Sequence, residues 1–115
     1  MVEGQAGMDA VFHALASKAR RDMLGRLADG ELTVGELAAP LAMSLAAASK
    51  HVQVLERAGL LHRRVSGRQR VCRLDPAPLA SAFDWLRFYE GFWSERLAAM
   101  QALFDDDSTA AEEQQ

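Results

Sequence analysis

Residues 33–74 read TVGELAAPLAMSLAAASKHVQVLERAGLLHRRVSGRQRVCRL, and this stretch decides the fold. Thr33 stands where a helix N-cap belongs, and Glu36 three residues later completes the capping-box pattern. The helix it opens is short, Val34 to about Ala39, and Pro40 marks its end region. Ser44 is the next N-cap. It opens a run from Leu45 to about Arg57 with Ala48, Val52 and Leu55 on one face, and Gly59 stops it. Two helices joined by a turn at about Pro40–Met43 form a helix-turn-helix, a unit that presents its second helix to the major groove of DNA.

The chemistry of that second helix suits a groove. Its apolar face packs inward. The opposite face carries Ala46, Ala47, Ser49, Lys50 and Gln53. Small side chains at 46 and 47 allow close approach, and their methyls can touch thymine methyls. Ser49 and Gln53 can bond bases or phosphates, and Lys50 guanine or phosphate. Thr33, Ser44 and His51 complete this candidate DNA-facing set. Helix N-termini favour phosphate through free N–H groups and the dipole. His51 has two readings: a phosphate contact, or the filler of a polar gap beside the following hairpin.

That hairpin is LLHRRVSGRQRVCRL, residues 60–74, with Gly67 supplying a positive φ at its turn. Arg63, Arg64, Arg68 and Arg70 surround the turn with no acid between 57 and 74. A basic ribbon of this kind can lie along the DNA backbone or enter a minor groove. Cys72 shares strand parity with Leu74, so it is expected to be buried and inert. Asp75-Pro76 ends the second strand.

Outward from this unit, Met8, Val11, Phe12 and Leu15 fall at helical spacing, and a second helix runs from the N-cap Ser17 to Ala28, ended by Asp29-Gly30. After the hairpin a helical pattern runs from about Pro78 to Phe104. Leu79, Phe83, Leu86, Trp93, Leu97, Met100 and Phe104 form one apolar stripe, interrupted at Glu90; Trp85, Phe88, Tyr89 and Phe92 form another. A helix apolar on two sides must be covered on two sides. A symmetric second copy is the simplest cover. The expected interface takes Phe83, Leu86, Phe92, Trp93, Leu97, Met100 and Phe104, with Val11, Phe12 and Leu15 from the first helix. The other reading makes these aromatics the lining of a small-molecule pocket at the dimer interface.

The chain has 115 residues, half of them hydrophobic and a quarter charged, which suits one soluble domain. We expect a frayed start at 1–7, a folded domain over 8–104 and an acidic disordered tail at 105–115. Net charge is −3, which by itself argues against a nucleic-acid partner. The distribution reverses that. Residues 44–74 carry Lys50, Arg57, Arg63, Arg64, Arg68, Arg70 and Arg73 against Glu56 alone, a local +6, while the tail carries −5. The single cysteine excludes an intramolecular disulfide. The start lacks a signal peptide's basic and apolar regions, and no apolar run reaches a membrane span, so the cytoplasm is expected. No Gly-rich phosphate loop, nucleophile–base pair or carboxylate cluster outside the tail points to an enzyme.

The order and motifs resemble the ArsR family. ALASKARRDMLGRL is similar to the opening of that family. TVGELAAPLAMSLAAASKHVQVLERAGLLHRRVSGRQRVCRLDP is similar to its helix-turn-helix and wing, most specifically in SKHVQVLERAGLL and GRQRVCRLDP. The resemblance covers about residues 10–78. It implies a winged helix-turn-helix homodimer that binds a roughly palindromic operator in double-stranded DNA and represses transcription. It also places the recognition helix at about Ser44–Arg57. Metal-sensing members carry a cysteine pair in the helix before the recognition helix, where this chain has GELAAPL; others place histidines along the last helix, and none follows His62 here. FYEGFWSERLAAM instead resembles a metal-free subgroup. The expectation is a mainly α fold with a small β-hairpin, in the order four helices, two strands and one long helix, homodimeric, with no metal site and no cofactor. The effector is unknown. The reading from another class is a winged-helix protein-interaction module.

Overall fold

A computed structural model describes the backbone of residues 2–113 and the side chains of residues 7–105. The order is α1 (Val2–Leu15), α2 (Lys18–Leu27), β1 (Leu32–Thr33), α3 (Val34–Ala38), a 3₁₀ turn (Ala39–Leu41), α4 (Leu45–Arg57), β2 (Leu61–Ser66), β3 (Gln69–Leu74), α5 (Ala77–Arg87) and α6 (Glu90–Glu113). This is a winged helix-turn-helix. It divides into two compact units, residues 1–82 and 83–115. Among the described residues no helix is long and apolar enough to cross a membrane. The ends expected to be frayed, 1–7 and 105–115, lie largely outside the described side chains; helical backbone extends α1 back to Val2 and α6 on to Glu113.

In the first unit, side-chain caps set the helix starts. Ser17 accepts from the Arg20 N–H at 3.3 Å, Thr33 from Glu36 at 3.1 Å and Ser44 from Ala47 at 3.1 Å. The Glu36 carboxylate reaches back to the Thr33 N–H at 3.0 Å, which closes the capping box and lowers its pKa. Helix ends are satisfied differently. The α1 C-terminus has no glycine cap. Arginines of α2 serve its last carbonyls instead: Arg20 donates to Ala14 and His13 at 2.8 and 2.9 Å, and Arg21 to Leu15 at 2.7 Å. Arg26 does the same for Leu37 of α3 at 3.2 Å. Helix α4 ends on a Schellman motif. Gly59 has φ +77° and donates to Glu56, and Leu60 donates to Leu55, both at 3.0 Å. Leu55 and Leu60 are both fully buried, which supplies the motif's apolar contact.

The core joins Val11 and Ala14 of α1, Met23, Leu24 and Leu27 of α2, Val34 and Leu37 of α3, Ala48, Val52 and Leu55 of α4, then Leu60, Leu61, Cys72 and Ala82. Val11 is only 3% exposed because the chain's own core covers it. It was expected in a dimer interface; in the single chain it packs within this core. Phe12 and Leu15 are half-buried against the same core.

Three features depart from the sequence reading. The sheet has a third strand, β1, in the order β1-β3-β2, with Leu32 opposite Cys72 and Thr33 opposite Val71. Pro40 stands in the end region of α3 as expected, but the 3₁₀ turn that holds it and the left-handed Ala42 after it, φ +53°, were not signalled. The long terminal helix is two helices. The Phe88 and Tyr89 N–H groups bond back three residues, to Trp85 at 3.3 Å and Leu86 at 3.0 Å, which tightens the backbone and ends α5. The helical four-residue pattern resumes from Trp93 to Tyr89.

In the second unit, aromatic side chains meet edge to face: Trp85 with Tyr89, Phe88 with Tyr89, and Phe92 with Trp93, at centroid separations of 5.1–5.6 Å. The Arg96 guanidinium sits 4.3 Å above the Phe92 ring. Phe83, Leu86, Trp93, Leu97, Met100 and Phe104 are each more than half exposed in the single chain.

Candidate nucleic-acid interface

Helix α4 has two faces. Ala48, Val52 and Leu55 are fully buried, while Ala46, Lys50 and Gln53 are exposed and Ala47 and Ser49 half-exposed. The side chains of Lys50 and Gln53 make no hydrogen bond or ion pair among the described residues, so their polar ends are available. The Oγ of Ser44 and Oγ1 of Thr33 are already engaged in caps. A second acceptor position remains on each, and what they contribute first is helix placement. His51 lies on the flank of α4 that meets α2, where its Nδ1 is 3.2 Å from Nη1 of Arg20.

The wing turns at Gly67, φ +63°, the first of two central residues between the paired Ser66 and Gln69. That is the position a type II′ hairpin reserves for glycine. The wing arginines split into two pairs. Arg63 is held by Glu56 in a two-pronged bond, Nε to Oε2 at 3.0 Å and Nη2 to Oε1 at 2.9 Å. That bond holds the Glu56 carboxyl below its ordinary range and raises Arg63. Arg64 pairs with Glu31. Arg68 and Arg70, at the tip, are exposed and form no ion pair among the described residues. The basic stripe thus carries less free charge than its sum suggests, and that charge is concentrated at the tip.

Recognition helix and wing tip share a cleft of about 490 Å³, whose lining includes Ser49 and Leu45 of α4, Thr33, and Arg63, Arg68 and Arg70. Two members of this site were not anticipated. Leu45 is 61% exposed at the mouth of α4, although apolar. Its position directly after the N-cap, at the edge of the inward stripe, was the available signal. Glu56 orients Arg63, and only the three-dimensional pairing identifies it. Cys72 is fully buried, and burial raises its thiol pKa, which disfavours the reactive thiolate. Among the described residues no three His, Cys, Asp or Glu side chains cluster as a metal site.

A helix-turn-helix domain family matches residues 15–64. Over 99 residues the chain is 40% identical to the HTH-type transcriptional regulator Rv2034 of Mycobacterium tuberculosis (strain ATCC 25618 / H37Rv), covering 86% of this chain and 90% of that protein. The crystal structure of the ArsR family transcriptional regulator RHA00566 is similar with a TM-score of 0.69 and 36% identity, over 82% of this chain and 94% of that one. The solution structure of the homodimeric winged helix-turn-helix DNA-binding domain Mb0332 from Mycobacterium bovis (fragment 1-100) is similar with a TM-score of 0.59 and 27% identity, over 83% and 85%. On the capped two-helix unit, the basic wing and these likenesses together, the chain belongs to the ArsR family of winged helix-turn-helix transcriptional regulators.

Proposed function

We propose that this regulator is a homodimer that recognises a roughly palindromic operator in double-stranded DNA and represses transcription by occupying it. The observation that carries the reading is the shared cleft. It brings the Ser49 edge of the recognition helix and the unpaired Arg68 and Arg70 to one concave surface. In a bound duplex, Lys50 and Gln53, with Ser49, Ala46 and Ala47, read base edges. Arg68 and Arg70 hold the backbone. Two such units in a dimer meet major grooves about one helical turn, ~34 Å, or a multiple apart. The exposed stripe of Phe83, Leu86, Trp93, Leu97, Met100 and Phe104, with Phe92, supports dimerisation, as does the homodimeric state of Mb0332. The protein acts in the cytoplasm, needs no metal to bind DNA, and GELAAPL offers no cysteine pair to sense one.

The test is a gel-shift titration with the promoter region of its own gene at two salt concentrations, with and without chelator. A shift that Lys50→Ala with Gln53→Ala abolishes, and that chelator leaves alone, is expected. No shift at low salt refutes the proposal. A reporter gene that falls on expression supports repression, and one that rises refutes it.

A further inference from the structure

Arg20 and His51 are separated by 31 residues yet touch through the Nη1–Nδ1 contact. The other nitrogens of Arg20 are committed to the α1 C-terminus: Nε donates to Ala14 and Nη2 to His13. One guanidinium therefore ties the end of α1 to the middle of the recognition helix. A guanidinium has five donors and no acceptor. In this bond Nδ1 of His51 must be the acceptor, so the neutral ring carries its proton on Nε2. That Nε2 has no partner among the described residues and is not sealed from solvent. It offers a free N–H next to Lys50 on the flank of α4, off the crest formed by Ala46, Lys50 and Gln53.

We propose that Arg20 is a positioning residue for DNA binding: it fixes the rotamer and tautomer of His51 so that Nε2–H is held out as a hydrogen-bond donor to a backbone phosphate. The inference rests on the proposed DNA-binding function and assigns Arg20 a role within it. A helix crest faces base edges, whereas the duplex backbone passes along its flanks, so a neutral donor on the flank suits a phosphate oxygen. The bond adds affinity without adding charge. It therefore leaves the salt dependence unchanged, because that slope counts only neutralised phosphates.

The experiment uses the full chain and a labelled duplex of its own promoter region. His51→Ala is expected to weaken binding about tenfold, one net hydrogen bond from each half of a dimer, with an unaltered slope of log affinity against log salt. His51→Gln, whose amide nitrogen reaches the Nε2 position, restores most of that loss. His51→Asn keeps an acceptor for Arg20 but not the distal donor, and stays as weak as His51→Ala. Arg20→Ala weakens binding in the wild-type background and adds little in His51→Ala. Should Arg20→Ala not fold, Arg20→Lys serves: a point charge that cannot reach two carbonyls and the imidazole together. Nitrogen-15 NMR of the free protein should show the neutral His51 ring protonated at Nε2. Wild-type affinity in His51→Ala, strict additivity of the two substitutions, or a proton on Nδ1 overturns the proposal while leaving DNA binding intact. Absence of binding by the wild type sinks the underlying function instead.

Discussion

Removing Arg68 and Arg70 together should change how binding responds to salt more than it changes the protein. Each neutralised phosphate contributes about 0.9 to the slope of log affinity against log salt. Both arginines are exposed at the wing tip without ion-pair partners, so neither exchanges an internal bond for a phosphate. In the proposed dimer two arginines on each of two wings make four contacts, and the Arg68→Ala/Arg70→Ala variant should lose about 3.6 from the slope. Between 50 and 200 mM salt the wild type then loses affinity roughly 100-fold more steeply than the variant. Arg63→Ala is the internal control. Its guanidinium already faces Glu56 and is only 20% exposed, so its removal leaves the slope nearly unchanged. Fluorescence anisotropy at five or six salt concentrations measures both. A slope unaltered in the tip variant, or one that Arg63→Ala lowers as much, refutes the division into free and committed arginines.

Ala42→Gly should stabilise the fold by about 1 kcal/mol, because a left-handed alanine costs about that much, and thermal melting should rise by several degrees. Asp75 accepts from His62 at 2.8 Å and from the Ala77 N–H at 3.0 Å, bonds that hold its carboxyl below the ordinary range. A depressed carboxylate contributes stability above its unfolded value and loses it as pH falls through the folded one, so Asp75→Asn should flatten the decline in denaturation midpoint below about pH 4 while lowering the neutral plateau. An unchanged acid limb contradicts this. Leu97→Glu should give a monomer by sedimentation, with far-ultraviolet circular dichroism preserved, since Leu97 is 58% exposed in the single chain. A dimer that persists removes α6 from the interface.

The helix-turn-helix was legible because its signals are local. Caps at Thr33 and Ser44, the stop at Gly59 and the turn at Gly67 each act within a few residues. What escaped is held by distant partners. Strand β1 is two residues long and exists because Leu32 and Thr33 meet Cys72 and Val71; no periodicity can show in so short a segment. The contribution of Arg64 depended on Glu31, and that of His51 on Arg20. The break after α5 was hidden for a different reason. An apolar stripe records which side chains need cover, and it continues unaltered across a tightened turn of backbone. Val11 carries the same ambiguity, since helical spacing does not say whether its own core or a partner covers it.

The Schellman turn and the Glu56–Arg63 bond join α4 to β2 at both the backbone and the side chains. Reader and wing are thereby tied at their junction by two independent kinds of bond. In the proposed dimer, the spacing and angle between the two copies are then the variable that would set release of the operator. An inducer would then be sought away from the DNA, where the copies meet, and its effect would depend on how many base pairs separate the half-sites.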